Sequence, residues 1–142
     1  GSGQAYKTGS GGQLSCFALT EPTARLPEGL NSDPGYLFVT HRREGEDGEI
    51  SVVFGYPLDE ERPSRIKVGD ATYSLAADGG SAWIADVQEQ PAAVGAFKRG
   101  ATASVIAVSR RGNETTDEYS LMGFTKALDA ITRACSGSDA NS

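Results

Sequence analysis

Few residues in this chain have the chemistry that catalysis requires. His41 is the only histidine, and it stands between an apolar stretch and Arg42. As the general base of a serine hydrolase it would need a nucleophilic serine on a strained turn, but the chain contains no G-x-S-x-G motif. We therefore expect His41 to be an exposed residue at the end of a strand, and we expect the protein not to be an enzyme.

Acidic residues cluster in two short runs, 44–49 and 59–61, which raises the hypothesis of a calcium site. Neither run has the spacing of an EF-hand loop, and clusters of this kind are typical of a solvated face. One histidine and two cysteines also fit no recognised zinc-binding pattern. We expect neither a metal nor a cofactor.

Two adjacent arginines are the strongest candidates for binding. A pair of guanidinium groups at a hairpin tip can hold a carboxylate or a phosphate through bidentate hydrogen bonds. The alternative is a structural loop, in which Gly112 supplies a positive φ and the following Thr and Asp side chains bond to local backbone. The sequence favours the structural interpretation and leaves binding open. The candidate interaction loop comprises Arg110, Arg111, Asn113, Thr115 and Thr116, within residues 110–117.

The two cysteines, Cys16 and Cys135, lie close to opposite ends of the chain. In a reducing cytosol they would be inert buried thiols. A disulfide would instead close a loop of more than a hundred residues, stabilise the fold by about 4–5 kcal/mol through chain entropy, and indicate an oxidising compartment. The spacing favours the disulfide without excluding free thiols.

Strand-sized apolar stretches, separated by turn residues, dominate the chain. Residues 36–41 and 49–56 are rich in β-branched and aromatic side chains, and Asp47-Gly48 between them suits a hairpin turn. Helical spacing occurs near 88–99 and near 123–135. The pattern predicts a mainly β, antiparallel sandwich with two helices. The aromatic residues that we expect in its core are Trp83, Tyr119 and Phe124.

Length and composition indicate one domain. Of the 142 residues, 1–12 and 136–142 are rich in glycine, serine and polar residues, so we expect two flexible ends around a single domain at 13–135. Gly1-Ser2 has the appearance of a cloning remnant. The net charge of −6 opposes binding to nucleic acid or to an anionic membrane. The apolar stretches are too short to span a bilayer.

Several segments, taken in order, resemble the invasion-associated locus B family of exported alphaproteobacterial proteins. The most specific is SRRGNETTDEYSL at 109–121, which is followed by GF at 123–124, AL at 127–128 and Cys135. The other segments that carry the resemblance are CFAL at 16–19, RLPEGLN at 25–31, DPGYLF at 33–38, EISV at 49–52, GYP at 55–57, SAW at 81–83 and KRG at 98–100.

The resemblance implies an immunoglobulin-like β-sandwich, a disulfide between Cys16 and Cys135, and export to the periplasm or beyond after removal of a signal peptide. It also implies a non-enzymatic role, which in pathogenic members is linked to virulence through entry into host cells. On this basis we expect contacts with a protein or envelope component through loops 22–35, 42–48 and 110–117. A periplasmic module that holds a small anion near Arg110 and Arg111 is the alternative. Relatives often carry a tryptophan in the first strand, where this chain has Tyr6.

Overall fold

The computed structural model describes residues 4–8, 15–27, 34–42 and 48–135, and every structural statement below refers to these residues. Strands alternate with tight turns, and two helices lie in the second half of the chain. The strands are β1 (Gln4–Thr8), β2 (Ser15–Thr20), β3 (Ala24–Leu26), β4 (Tyr36–Arg42), β5 (Glu49–Val53), β6 (Ser64–Val68), β7 (Ala71–Asp78), β8 (Ser81–Ile84), β9 (Thr102–Val108) and β10 (Glu114–Ser120), and the helices are α1 (Gln90–Arg99) and α2 (Phe124–Cys135).

All ten strands belong to one antiparallel sheet, in the order β1-β2-β4-β5-β8-β7-β6-β9-β10-β3. The sheet curls into a half-barrel, so the mainly antiparallel β fold with two helices is confirmed, but the immunoglobulin-like sandwich is not. A sandwich would consist of two separate sheets, whereas here β5 pairs with β8 and β6 pairs with β9, so the strands form one continuous sheet. Period-2 alternation identifies strands but does not say whether they form one sheet or two.

The concave face of the sheet holds the core. Along β2, Cys16, Ala18 and Thr20 are buried while the intervening residues are half-buried, and the other central strands alternate in the same way. Helix α2 packs against β1, β2 and β4, and helix α1 packs against β5. The side-chain oxygen of the buried Gln90, at the start of α1, accepts a hydrogen bond of 3.0 Å from the Ile50 amide.

The predicted core aromatics do not share one environment. Tyr119 and Phe124 are fully buried, but Trp83 is 38% exposed, so its assignment to the core is wrong. In β8 the buried neighbours Ala82 and Ile84 occupy the inward positions, and the alternation of a strand therefore turns Trp83 to the outer face.

The N-terminal segment contains a strand. Residues 4–8 pair antiparallel with β2, with Tyr6 opposite Phe17, and the two rings stack with centroids 5.2 Å apart. The expectation of a flexible segment at 1–12 stays a prediction, although residues 4–8 form strand β1. The rest of that segment and the predicted tail at 136–142 lie outside the described residues, as do residues 28–33 of the predicted loop 22–35 and residues 43–47 of the predicted loop 42–48.

Candidate functional site

The two candidate arginines lie on an exposed, well-fixed hairpin tip between β9 and β10. The Ser109 amide donates to the Asn113 carbonyl over 2.8 Å, and the Gly112 amide donates to the Ser109 carbonyl over 2.8 Å. Gly112 has a φ of 93°, the positive value that the turn requires. Arg110 and Arg111 are exposed, and the Arg110 amide donates to the Pro57 carbonyl over 2.9 Å, which ties the tip to a neighbouring loop.

The remainder of the predicted interaction loop belongs to strand β10. Thr116 is half-buried, and Thr115 is buried on the concave face, where its hydroxyl accepts a 2.8 Å hydrogen bond from the Tyr56 hydroxyl. Thr115 also donates to the Ala107 carbonyl over 3.4 Å. Asp117 bonds to Arg25 instead of local backbone, so that part of the structural interpretation is wrong. The exposed part of the loop is therefore 110–114.

A partly buried ion pair joins the edge strand β3 to β10. Asp117 is 2% exposed, and its carboxylate accepts hydrogen bonds from Arg25 Nε and Nη2, each over 3.0 Å. The same Nη2 donates to the Phe54 carbonyl over 2.6 Å. A Cβ at Gly35 would lie 2.9 Å from Nη2, so a larger residue there would require the guanidinium to shift. We call Arg25, Tyr56, Thr115, Asp117 and Tyr119 the buried polar cluster.

Electrostatics within the buried polar cluster favour one charged pair and two neutral phenols. Burial lowers the pKa of Arg25, but the hydrogen bonds and charge of Asp117 outweigh it and raise that pKa above its ordinary value. The Arg25 guanidinium also lies 5.7 Å from the centre of the Tyr56 ring. Burial raises the pKa of Tyr56 and of Tyr119, and the Asp117 carboxylate adds to both shifts.

The two phenols of this cluster are expected to respond differently to loss of the hydroxyl. The Tyr119 hydroxyl is buried and has no hydrogen-bond partner among the described residues. Tyr119→Phe should therefore leave the free energy of unfolding unchanged or raise it by up to about 1 kcal/mol. Tyr56→Phe should lower it by about 1 kcal/mol, because the Thr115 hydroxyl loses the hydrogen bond that it accepts. Urea denaturation measures both, and a larger loss for Tyr119→Phe would contradict the assignment.

Alkaline pH should destabilise the fold through these phenols. A tyrosine whose pKa is raised in the folded state binds its proton more tightly there, so unfolding releases protons above the ordinary value near 10. The stabilisation is complete below about pH 10 and is lost as pH rises further towards the folded-state pKa. The midpoint of urea denaturation should fall more steeply above this pH in the native protein than in Tyr119→Phe. Parallel curves would exclude Tyr119 as a source.

The only histidine in the sequence lies inside the fold. His41 is 6% exposed and stands directly opposite Cys16 in the β2–β4 ladder, so the expectation of an exposed strand end is wrong. Side chains two positions apart in a strand lie on the same face. His41 therefore shares its face of β4 with the buried Leu37 and Val39 and points inward.

The disulfide between Cys16 and Cys135 is confirmed. The Cα atoms lie 5.9 Å apart, and both residues are fully buried. The bond fastens the last residue of α2 to β2, which is the strand that α2 covers. The disulfide therefore holds the C-terminal end of α2 against the sheet.

Two carboxylates of the second acidic run, Asp59 and Glu60, accept hydrogen bonds from backbone amides in turns. Glu60 accepts a 2.7 Å hydrogen bond from the Gly79 amide, and Asp59 accepts one of 3.1 Å from the Glu61 amide. Across the described ranges, no group of three or more His, Cys, Asp or Glu side chains has an arrangement that could hold a metal ion. The carboxylates at 44, 46 and 47 lie outside these ranges.

These features define a small, disulfide-closed β-protein in which a curled sheet and two helices present an exposed basic hairpin. Residues 37–132 match the model of a protein family that is described as "Invasion associated locus B (IalB) protein". The chain belongs to this family. A search of curated proteins and a search of solved structures each found no match. Neither helix is long and apolar enough to cross a membrane, in the part of the chain that the structure describes.

Proposed function

We propose that this IalB-family protein is exported, to the periplasm or beyond, and acts without catalysis through contacts with a component of the bacterial envelope or of a host cell. The observation that carries the proposal is the disulfide between Cys16 and Cys135. Structural disulfides form and persist in oxidising compartments and are rare in the cytosol. Membership of the family supports the invasion-associated type of function.

The hairpin tip at 110–114 is the contact surface that the described residues support best. Arg110 and Arg111 project from a turn that backbone hydrogen bonds hold on both sides, so little backbone conformational entropy is lost when a partner binds. Planar guanidinium groups favour carboxylate or phosphate partners. The other two proposed contact loops are 22–35 and 42–48. The structure describes the ends of both loops but not their middle parts, 28–33 and 43–47.

Two observations favour surface contact over the other functional hypotheses. His41, the residue a hydrolase would need as its base, is buried against the sheet and faces the core. A module that encloses a small anion would need Arg110 and Arg111 to converge on a cleft, whereas both are exposed on a hairpin tip. The arginines are thus better placed to meet a partner's surface than to surround a ligand.

Site-specific photocrosslinking tests the proposal. A photoreactive amino acid replaces Arg111 in one variant and Lys67, an exposed residue on the outer face of β6, in a matched control. After irradiation of cells that export the protein, mass spectrometry should find a defined adduct with the Arg111 probe and none with the Lys67 probe. The same adducts from both positions, or none from either, would contradict a contact surface at this hairpin.

Replacing both arginines separates binding from folding. Arg110→Ala combined with Arg111→Ala should weaken binding to the crosslinked partner by at least about tenfold, because each charged hydrogen bond contributes more than 1 kcal/mol. The melting temperature should stay within about 2 °C of the native value, since exposed substitutions rarely exceed about 0.5 kcal/mol. The control, Arg65→Ala with Lys67→Ala, makes the same charge change on exposed β6 positions and should preserve binding. Equal loss in both variants would indicate a general charge effect.

A further inference from the structure

The two edges of the curled sheet differ in how well they are protected. Strand β3 has three residues and is followed directly by Pro27, and both features block the addition of another strand. Strand β1 has five residues, contains no proline and pairs with β2 over its whole length. None of the other strands that the structure describes pairs with the far side of β1.

Contacts within the chain also fix the position of strand β1. Helix α2 packs against it from the concave side, and Tyr6 stacks on Phe17 on the convex side. In an antiparallel sheet, alternate residues of an edge strand direct their backbone N–H and C=O groups away from the sheet. Backbone hydrogen-bonding groups therefore lie along this edge, and no other strand of the described residues pairs with them there. Such an edge can add an extended strand.

We propose that β1 pairs antiparallel with β1 of a second copy of this chain, about a two-fold axis at Tyr6, to form a homodimer with one continuous sheet. Self-pairing about Tyr6 puts each tyrosine opposite its counterpart and puts Ala5 opposite Lys7. Lys7 is the only charged residue in β1, so no like charges meet directly across the axis, although the whole chain carries a net charge of −6.

The aromatic residues on the convex face point to the same arrangement. Tyr6 is 43% exposed and begins a row of rings that continues through Phe17 and Phe38, with centroids 5.2 Å and 6.1 Å apart. Directly opposite side chains in an antiparallel pair have Cβ atoms about 4.5–5.5 Å apart. The two tyrosines would meet at that distance, and the two aromatic rows would join across the axis. This inference does not depend on the proposed function.

Analytical ultracentrifugation of the full chain over a wide range of concentration tests the proposal. The native protein should show a monomer–dimer equilibrium, and Tyr6→Glu should raise its dissociation constant by at least about tenfold because two carboxylates then face each other. Met122→Glu makes the same charge change at a residue that is 72% exposed and distant in sequence, and it should dimerise as the native protein does. A native protein that stays monomeric, or a dimer that Tyr6→Glu leaves intact, would overturn the proposal.

Two cysteine variants test the same pairing by disulfide crosslinking, so the test remains decisive if Tyr6→Glu perturbs β1. In the proposed register, Tyr6→Cys faces its own counterpart and should form a covalent dimer under mild oxidation. Lys7→Cys lies two residues out of register with its counterpart, at about 8 Å between Cα atoms, which is too far for a disulfide. Non-reducing mass spectrometry should find the dimer for Tyr6→Cys alone. Crosslinking of both variants or of neither would reject the two-fold pairing.

Discussion

Removal of the disulfide between Cys16 and Cys135 is expected to lower the free energy of unfolding by about 3–5 kcal/mol. The bond joins residues that are 119 positions apart, so it removes a large amount of conformational freedom from the unfolded chain. It also holds the end of α2 on β2, where both cysteines are fully buried. For a chain of this size, the expected loss corresponds to about 10–15 °C in melting temperature.

The variant Cys16→Ala with Cys135→Ala measures this effect by thermal and urea denaturation. Because the chain has no other cysteine, adding a reductant to the native protein should reproduce the melting temperature of the double variant. The double variant itself should not respond to reductant. A fall of less than about 3 °C would contradict the assignment of the disulfide as a major source of stability.

Arg25→Met is expected to lower the free energy of unfolding by about 3 kcal/mol. The substitution keeps the apolar stem but removes the guanidinium that donates two hydrogen bonds to Asp117 and one to the Phe54 carbonyl. Asp117, which is 2% exposed, then has a buried carboxylate without its counter-ion. Breaking a buried ion pair from one side costs about 3–5 kcal/mol, and partial exposure of Arg25 places this case at the lower end.

A double-mutant cycle separates the ion pair from packing. Asp117→Leu alone and Arg25→Met alone should each destabilise the fold, while the two together should recover much of the loss, because apolar residues of similar size can replace a buried ion pair. The coupling energy from urea denaturation should exceed about 1 kcal/mol. Strictly additive losses would indicate that the two side chains contribute independently.

Much of the fold could be predicted from the sequence, because strands and helices leave local signals. The β-branched stretches predicted β4 and β5, and helical spacing predicted α1 and α2 close to their observed bounds. The arrangement of strands in one sheet has no such local signal, since it depends on ladders such as β6 with β9 between distant segments. The exposure of Trp83 could not be predicted, because the sequence of a short strand does not show which of its two faces meets the core.

The candidate site was predictable in part. The turn at Gly112 and the exposure of Arg110 and Arg111 follow from local chemistry, and the disulfide was implied by resemblance to the family. The ion pair was missed because Arg25 and Asp117 are 92 positions apart. One signal was present: Thr115, Asp117 and Tyr119 alternate along β10, so a strand that buries Tyr119 also buries a carboxylate, which requires a cationic partner.

Together, the disulfide and the ion pair fasten distant parts of one curled sheet. The disulfide joins α2 to β2 near one edge, and Arg25 with Asp117 joins β3 to β10 at the other. The hairpin tip at 110–114 leads directly into β10, the strand that carries Asp117, so the ion pair helps to fix its position.

The central claim, that the protein is an exported scaffold closed by its disulfide, is tested most directly by trapping thiols in cells that produce it from its own gene. Cells are fractionated in the presence of an alkylating reagent under denaturing conditions, and Cys16 and Cys135 are examined by mass spectrometry. We predict that the protein is found in the periplasm or the medium with both cysteines unalkylated until a reductant is added. Protein in the cytoplasm with both cysteines alkylated would contradict the account.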